Sequence, residues 1–113
     1  MRETVVMKRL MIFIDETDRW HGKVLSAALV DRLRKEGCAG ATVVRGSAGF
    51  GGHQKIHTAS IMDLSSALPE IIIVIDSAER IEAIMPTVEE MVAEGLVCLD
   101  DVEVLKLSKK PVN

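Results

Sequence analysis

The segment Ile71-Ile-Ile-Val-Ile-Asp-Ser-Ala-Glu79 carries the strongest strand signal in the chain and, directly after it, a helix start. Ile71–Ile75 is apolar throughout and of strand length. Asp76-Ser-Ala-Glu79 then fits a capping box, with Asp76 accepting from first-turn N–H groups and Glu79 reaching back. Downstream, Ile81, Ile84, Met85, Val88, Met91 and Val92 recur at i, i+3, i+4, i+7 spacing and predict an amphipathic helix. Glu82, Glu89, Glu90 and Glu94 lie off that stripe, and its methionines read as core filler. Pro86 predicts a kink or a weakened turn, and Gly95 the end of the helix. Leu96–Leu99 and Val102–Leu107 predict a last strand region, broken or turned at Asp100-Asp101.

The upstream half repeats the pattern. Leu10-Met-Ile-Phe-Ile14, within Lys8–Asp15, predicts the first strand. A polar loop over 15–23 carries Trp20 and Gly22. Leu25, Leu29 and Leu33 recur every four residues from Val24 and predict a helix, with Gly37 at the expected C-terminal cap. Ala41-Thr-Val-Val-Arg45 predicts a second strand from its β-branched centre. Residues 56–64 fit either a strand extension or a turn of helix, and Ser65–Pro69 is a connector. The order is β-α-β, a long excursion, then β-α-β, with a right-handed crossover in each half. Two such halves predict an α+β, ferredoxin-like βαββαβ sandwich: an antiparallel four-stranded sheet with two helices on one face.

One feature of this fold needs a partner. Leu10–Ile14 and Ile71–Ile75 are apolar on both faces, whereas a strand with one wet face alternates. Two helices cover one face only. A chain of 113 residues has no third layer to offer, so the other face predicts oligomerisation.

Composition bounds the function. An apolar fraction of 48% and a charged fraction of 27% describe a soluble globular domain. The net charge of −3 argues against nucleic-acid binding. No apolar run approaches the ~20 residues that span a membrane. The N-terminus lacks the apolar core of a signal peptide, so the expected location is cytoplasmic. Met7 reads as an alternative start, which makes 1–6 an N-terminal extension, 7–108 the domain and 109–113 a solvated tail. Cys38 and Cys98 are expected as reduced thiols.

The excursion opens on Gly46-Ser-Ala-Gly-Phe-Gly-Gly-His-Gln-Lys-Ile-His-Thr58, which holds four glycines within 46–52. Such a segment exposes backbone N–H groups that suit an anion, or it simply connects two strands. It lacks the Lys-Ser/Thr of a P-loop and the third glycine of a dinucleotide fingerprint. Its glycine content predicts low local stability over 46 to about 54.

A series of separated motifs now carries a resemblance. Gly40-Ala-Thr-Val-Val-Arg-Gly46, Gly49-Phe-Gly51, Ile56-His-Thr58, Leu68-Pro69 and Ile75-Asp-Ser77 occur in one order. The series resembles the prokaryotic family known as domain of unknown function 190, over nearly all of 7–107. That family is in turn similar to the PII signalling proteins, through Gly40-x-Thr-Val, Gly49-Phe-Gly51 and His57-Thr58. The resemblance implies a homotrimer, an adenine nucleotide in the cleft between subunits, and a loop over 46–58 that engages a regulated protein partner such as a membrane transporter or channel. It implicates Thr42, Gly49, Phe50 and Gly51. The departures from PII proteins are specific. Their phosphate loop falls on Glu94–Asp101 here, with one glycine and no lysine. Their adenine-side glutamate falls on Val74, and their two last-strand arginines on Lys106 and Ser108. The expected ligand is therefore AMP or ADP, bound at least as well as ATP.

The residues themselves add Arg45, Lys55, His57 and Thr58 as donors around the loop. Arg45 suits a ligand of the loop or a salt bridge equally well. His53 and His57 share no helical face, so a metal role is not expected. Asp15, Glu16 and Asp18 form a carboxylate cluster that could serve acid–base chemistry or a metal, although solvation is the commoner reason for such a cluster. No catalytic constellation is legible. The favoured function is a regulatory, ligand-sensing module. The alternatives are a small enzyme using the inter-subunit cleft and a ligand-free trimeric scaffold.

Overall fold

The computed structural model describes residues 2–50 and 68–109. Its elements are β1 (Arg2–Asp15), β2 (Arg19–Trp20), β3 (Lys23–Val24), α1 (Leu25–Lys35), β4 (Thr42–Arg45), β5 (Pro69–Asp76), α2 (Ala78–Met91) and β6 (Leu96–Leu107). The four long strands form one sheet in the order β4-β5-β1-β6, and every pairing is antiparallel. This is the expected ferredoxin-like arrangement, with β1 and β5 at the centre. β2 and β3 form a separate two-stranded hairpin.

Strand parity decides what each face does. Leu10, Ile12 and Ile14 of β1 and Ile72 and Val74 of β5 are buried. They form one core with Leu25, Leu29 and Leu33 of α1 and Ile81, Ile84, Val88 and Met91 of α2. Alternate residues point the other way, because successive side chains of a strand leave opposite faces. Met11, Phe13, Ile71 and Ile73 on that second face are half-buried, and Val44, Ile75 and Leu96 are exposed. The apolar runs are thus two-sided in fact, and the helices cover one side.

The helix ends follow local chemistry. The N–H of Gly37 donates to Arg34 O at 3.1 Å and that of Cys38 to Leu33 O at 3.1 Å, closing a Schellman motif at the end of α1. Gly37 has φ 93°, a conformation that glycine adopts without a Cβ penalty. From α2, Arg80 donates to the Glu36 carbonyl at 2.8 Å and the buried Thr87 hydroxyl to the Glu36 carboxylate at 2.6 Å. Burial, ahead of the field of Asp76, raises the Cys38 thiol above its ordinary value. Both cysteines are free thiols.

Four expectations need correction. β1 starts at Arg2 rather than at Lys8, and its residues 2–7 pair with β6. β6 runs unbroken through Asp100-Asp101, because each aspartate meets a cation across the ladder. Asp101 pairs with Lys8 at 2.7 Å, and Asp100 takes a bidentate contact from Arg9 at 3.1 and 2.7 Å. The α2 N-cap is Ser77, whose Oγ accepts from Arg80 N at 3.1 Å. Asp76 still belongs to β5 and instead accepts from Ser77 N and Ala39 N, both at 2.8 Å. Last, the polar loop after β1 contains the β2–β3 hairpin. His21 and Gly22, at φ 47° and 81°, turn it in the doubly positive manner of a two-residue hairpin. Trp20 packs on the core and stacks on His21 at 4.2 Å.

The corrected cap makes an expected outcome that urea unfolding can check. Ser77→Ala should cost ~1 kcal/mol. Glu79→Ala should stay within ~0.5 kcal/mol, as an exposed surface change does. A larger loss at Glu79 than at Ser77 would restore the capping-box reading.

Candidate functional site

The site is built where the chain leaves β4 and returns to β5. Arg45, the last residue of β4, lies opposite Glu70 in the antiparallel register. The next N–H, that of Gly46, donates to Pro69 O at 2.7 Å. A Cβ on Gly46 would sit 2.7 Å from Pro69 Cγ, and one on Gly49 3.1 Å from the same atom. Glycine at 46 therefore serves a close approach to the proline ring. This packing explains part of the glycine pattern without any ligand.

The returning chain is held from the other side. Glu16 N–H donates to Leu68 O at 2.9 Å, and Leu68 N–H donates to Glu16 Oε1 at 3.2 Å. The second oxygen of Glu16 faces Arg45 Nε at 3.5 Å, and Arg45 Nη2 stands 3.6 Å from Glu70 Oε2. Both separations exceed a good N–H···O hydrogen bond, so these contacts are mainly coulombic. The Glu70 side chain is only 5% exposed, against 60% for Arg45. Its Oε1 is buried and, among the described residues, lacks a hydrogen-bond partner. Among the described residues, one guanidinium thus serves two carboxylates.

The other acidic residues of the sequence cluster do backbone work. Asp15 Oδ1 accepts from the N–H and the hydroxyl of Thr17, both at 2.9 Å. Asp18 Oδ2 accepts from Asp15 N at 3.0 Å. Among the described residues, no group of three or more His, Cys, Asp or Glu side chains could hold a metal ion.

The structure brings together only part of the expected set. Arg45 is at the base of the excursion, with Gly49 half-buried beside Pro69 and Phe50 exposed. Thr42 lies opposite Ile73, on the face of β4 away from Arg45. Gly51, Lys55, His57 and Thr58 lie outside the described residues, as do His53, residues 56–64 and most of the connector before Pro69. Sequence reasoning passed over Glu70. Its signal was parity, since 70, 72 and 74 share one face of β5, so an acid at 70 faces the core side.

The positions taken over from PII proteins also fall clearly. Val74 is in the core. The stretch corresponding to the phosphate loop is strand from Leu96 onward. Lys106 is an exposed residue near the end of β6.

Comparison with known proteins fits this geometry. The sequence model of DUF190, described as an uncharacterized ACR family, matches residues 7–104. The chain belongs to the DUF190 family. This DUF190 chain is 36% identical over 104 residues to a UPF0166 protein of Aquifex aeolicus, covering 91% of this chain and 98% of that one. It is 33% identical over 100 residues to a UPF0166 protein of Methanocaldococcus jannaschii, covering 88% and 92%. Its fold is similar to that of CPII from Thiomonas intermedia K12, solved bound to ADP, AMP and acetate. The TM-score is 0.58 at 20% identity, over 90% of this chain and 91% of CPII. CPII is a nitrogen regulatory PII-like protein. The DUF190 chain therefore has a PII-like fold.

The shared cation has an energetic consequence. Arg45→Ala leaves the buried Glu70 carboxylate without its counter-charge and should cost ~1–3 kcal/mol of stability. In a Glu70→Gln background the same change should cost less, by roughly 1 kcal/mol, because contacting charges couple. Urea unfolding of the four proteins checks this, and additive effects would show that Arg45 and Glu70 act independently.

Proposed function

We propose that this DUF190 protein is a PII-like regulatory module that senses a small anionic ligand. The ligand is an adenine nucleotide, AMP or ADP, held between subunits of a homotrimer near the base of the excursion. The observation that carries the reading is the fold shared with CPII, whose solved structure is bound to ADP and AMP. Two features of this chain support it. Arg45 stands at the loop base with 60% of its side chain exposed, able to meet a phosphate. The second sheet face, with Phe13, Ile71 and Ile73, is a large apolar surface of the kind that subunits cover.

Thr42 and Gly49-Phe-Gly51 complete the site from the resemblance, with Lys55, His57 and Thr58 as further donors. The loop over 46–58 engages the regulated partner, for which a membrane transporter or channel is the proposed class. No helix among the described residues is long and apolar enough to cross a membrane. The proposed setting is the cytoplasm.

The missing phosphate loop sets the affinity scale. AMP and ADP should bind at micromolar strength or weaker, about −8 kcal/mol or less favourable, and ATP no better. Isothermal titration with each nucleotide checks this. No heat with any of the three at millimolar concentration would remove the nucleotide and leave a partner-binding scaffold. A clear preference for ATP would place phosphate-holding residues elsewhere in the chain.

A further inference from the structure

The ion pairs at the loop base bear on which anions can enter. Arg45 is the cation that a phosphate would meet, and Glu16 and Glu70 already share it at 3.5 and 3.6 Å. An anion that reaches the guanidinium comes alongside both carboxylates. Glu70 is the stronger obstacle. Its side chain is 5% exposed and, among the described residues, its Oε1 has no hydrogen-bond partner, so a carboxylate there is poorly screened. Among the described residues, Arg45 is the one cation in ion-pair range of either carboxylate.

We propose that Glu16 and Glu70 are the charge discriminators of this site: they admit an anion of low charge beside Arg45 and disfavour a highly charged one. The inference rests on the reading of the loop base as an anion site and specifies its ligand class, a nucleoside monophosphate or diphosphate rather than a triphosphate. Repulsion from the pair grows with each added phosphate charge, whereas the attraction of one guanidinium is shared. Discrimination is coupled to structure as well. Glu16 uses its other oxygen to hold Leu68 N–H at 3.2 Å. An anion that draws Arg45 away leaves Glu16 without its counter-charge and loosens that hold. By reciprocity, whatever loosens the hold favours the anion.

The test uses the full chain and four proteins: wild type, Glu70→Gln, Glu16→Gln and Arg45→Gln. Each is titrated with AMP, ADP and ATP at fixed ionic strength without magnesium. Glu70→Gln should tighten ATP roughly ten-fold and AMP by clearly less, with Glu16→Gln following in the same direction. Arg45→Gln should weaken all three. An unchanged ATP-to-AMP ratio in both glutamine variants, with Arg45→Gln still weakened, overturns discrimination while leaving the anion site standing. No heat in any protein overturns both. Amide exchange at Leu68 gives an arm that needs no ligand. Arg45→Gln should speed it several-fold in folded protein, and unchanged exchange there shows that Arg45 does not support Glu16, which overturns the coupling.

Discussion

The structure depends on the position of β1 and β5 at the centre of a four-stranded sheet, apolar on both of their faces. One face is satisfied within the chain. Leu10, Ile12, Ile72 and Val74 close a core with the leucines of α1 and the isoleucines of α2. The other face presents Met11, Phe13, Ile71 and Ile73, with no helix over it among the described residues. Hydrophobic burial of the first face drives folding, and the described helices leave the second face uncovered. On the proposed reading, subunits supply the missing layer. The Arg9–Asp100 pair then falls on the assembled face, because Arg9 has the parity of Met11 and Phe13. A charged pair set among apolar side chains would favour one subunit register over others.

The same sheet places the site. Antiparallel register puts Arg45 opposite Glu70, so the cation at the exit of β4 meets an acid at the entry of β5. Glu16, just past the end of β1, reaches both Arg45 and Leu68. Three segments far apart in sequence thus converge at the base of one excursion. On the proposed reading, this geometry links what happens at Arg45 to how the returning chain is held, which is the kind of coupling that a ligand-sensing protein requires.

Much of the fold was legible in the sequence because its signals are local. The isoleucine run gave β5, the four-residue leucine spacing gave α1, and Gly37 marked a cap that the hydrogen bonds at Leu33 and Arg34 confirm. Two of the misreadings share one cause. Asp100-Asp101 resembles a turn until Lys8 and Arg9 are placed across the ladder, and that pairing separates residues by more than ninety positions. Asp76 and Ser77 are both good N-caps, and the choice between them depends on where β5 ends. The site was less legible for the same reason. Arg45 stood out as a charge at a strand end, whereas Glu70 gained meaning only once register gave it a partner and parity gave it a buried face. Glu16 was noticed with Asp15 and Asp18, but nothing local set it apart from two aspartates that cap their own turn.

The central claim is that this chain works as an assembly that holds a small adenine nucleotide. Native mass spectrometry of protein purified directly from cells tests it most directly. The account predicts a species of three chains of 12.4 kDa each, carrying added mass equal to AMP or ADP. A stable monomer at micromolar concentration, with no retained ligand, would contradict it.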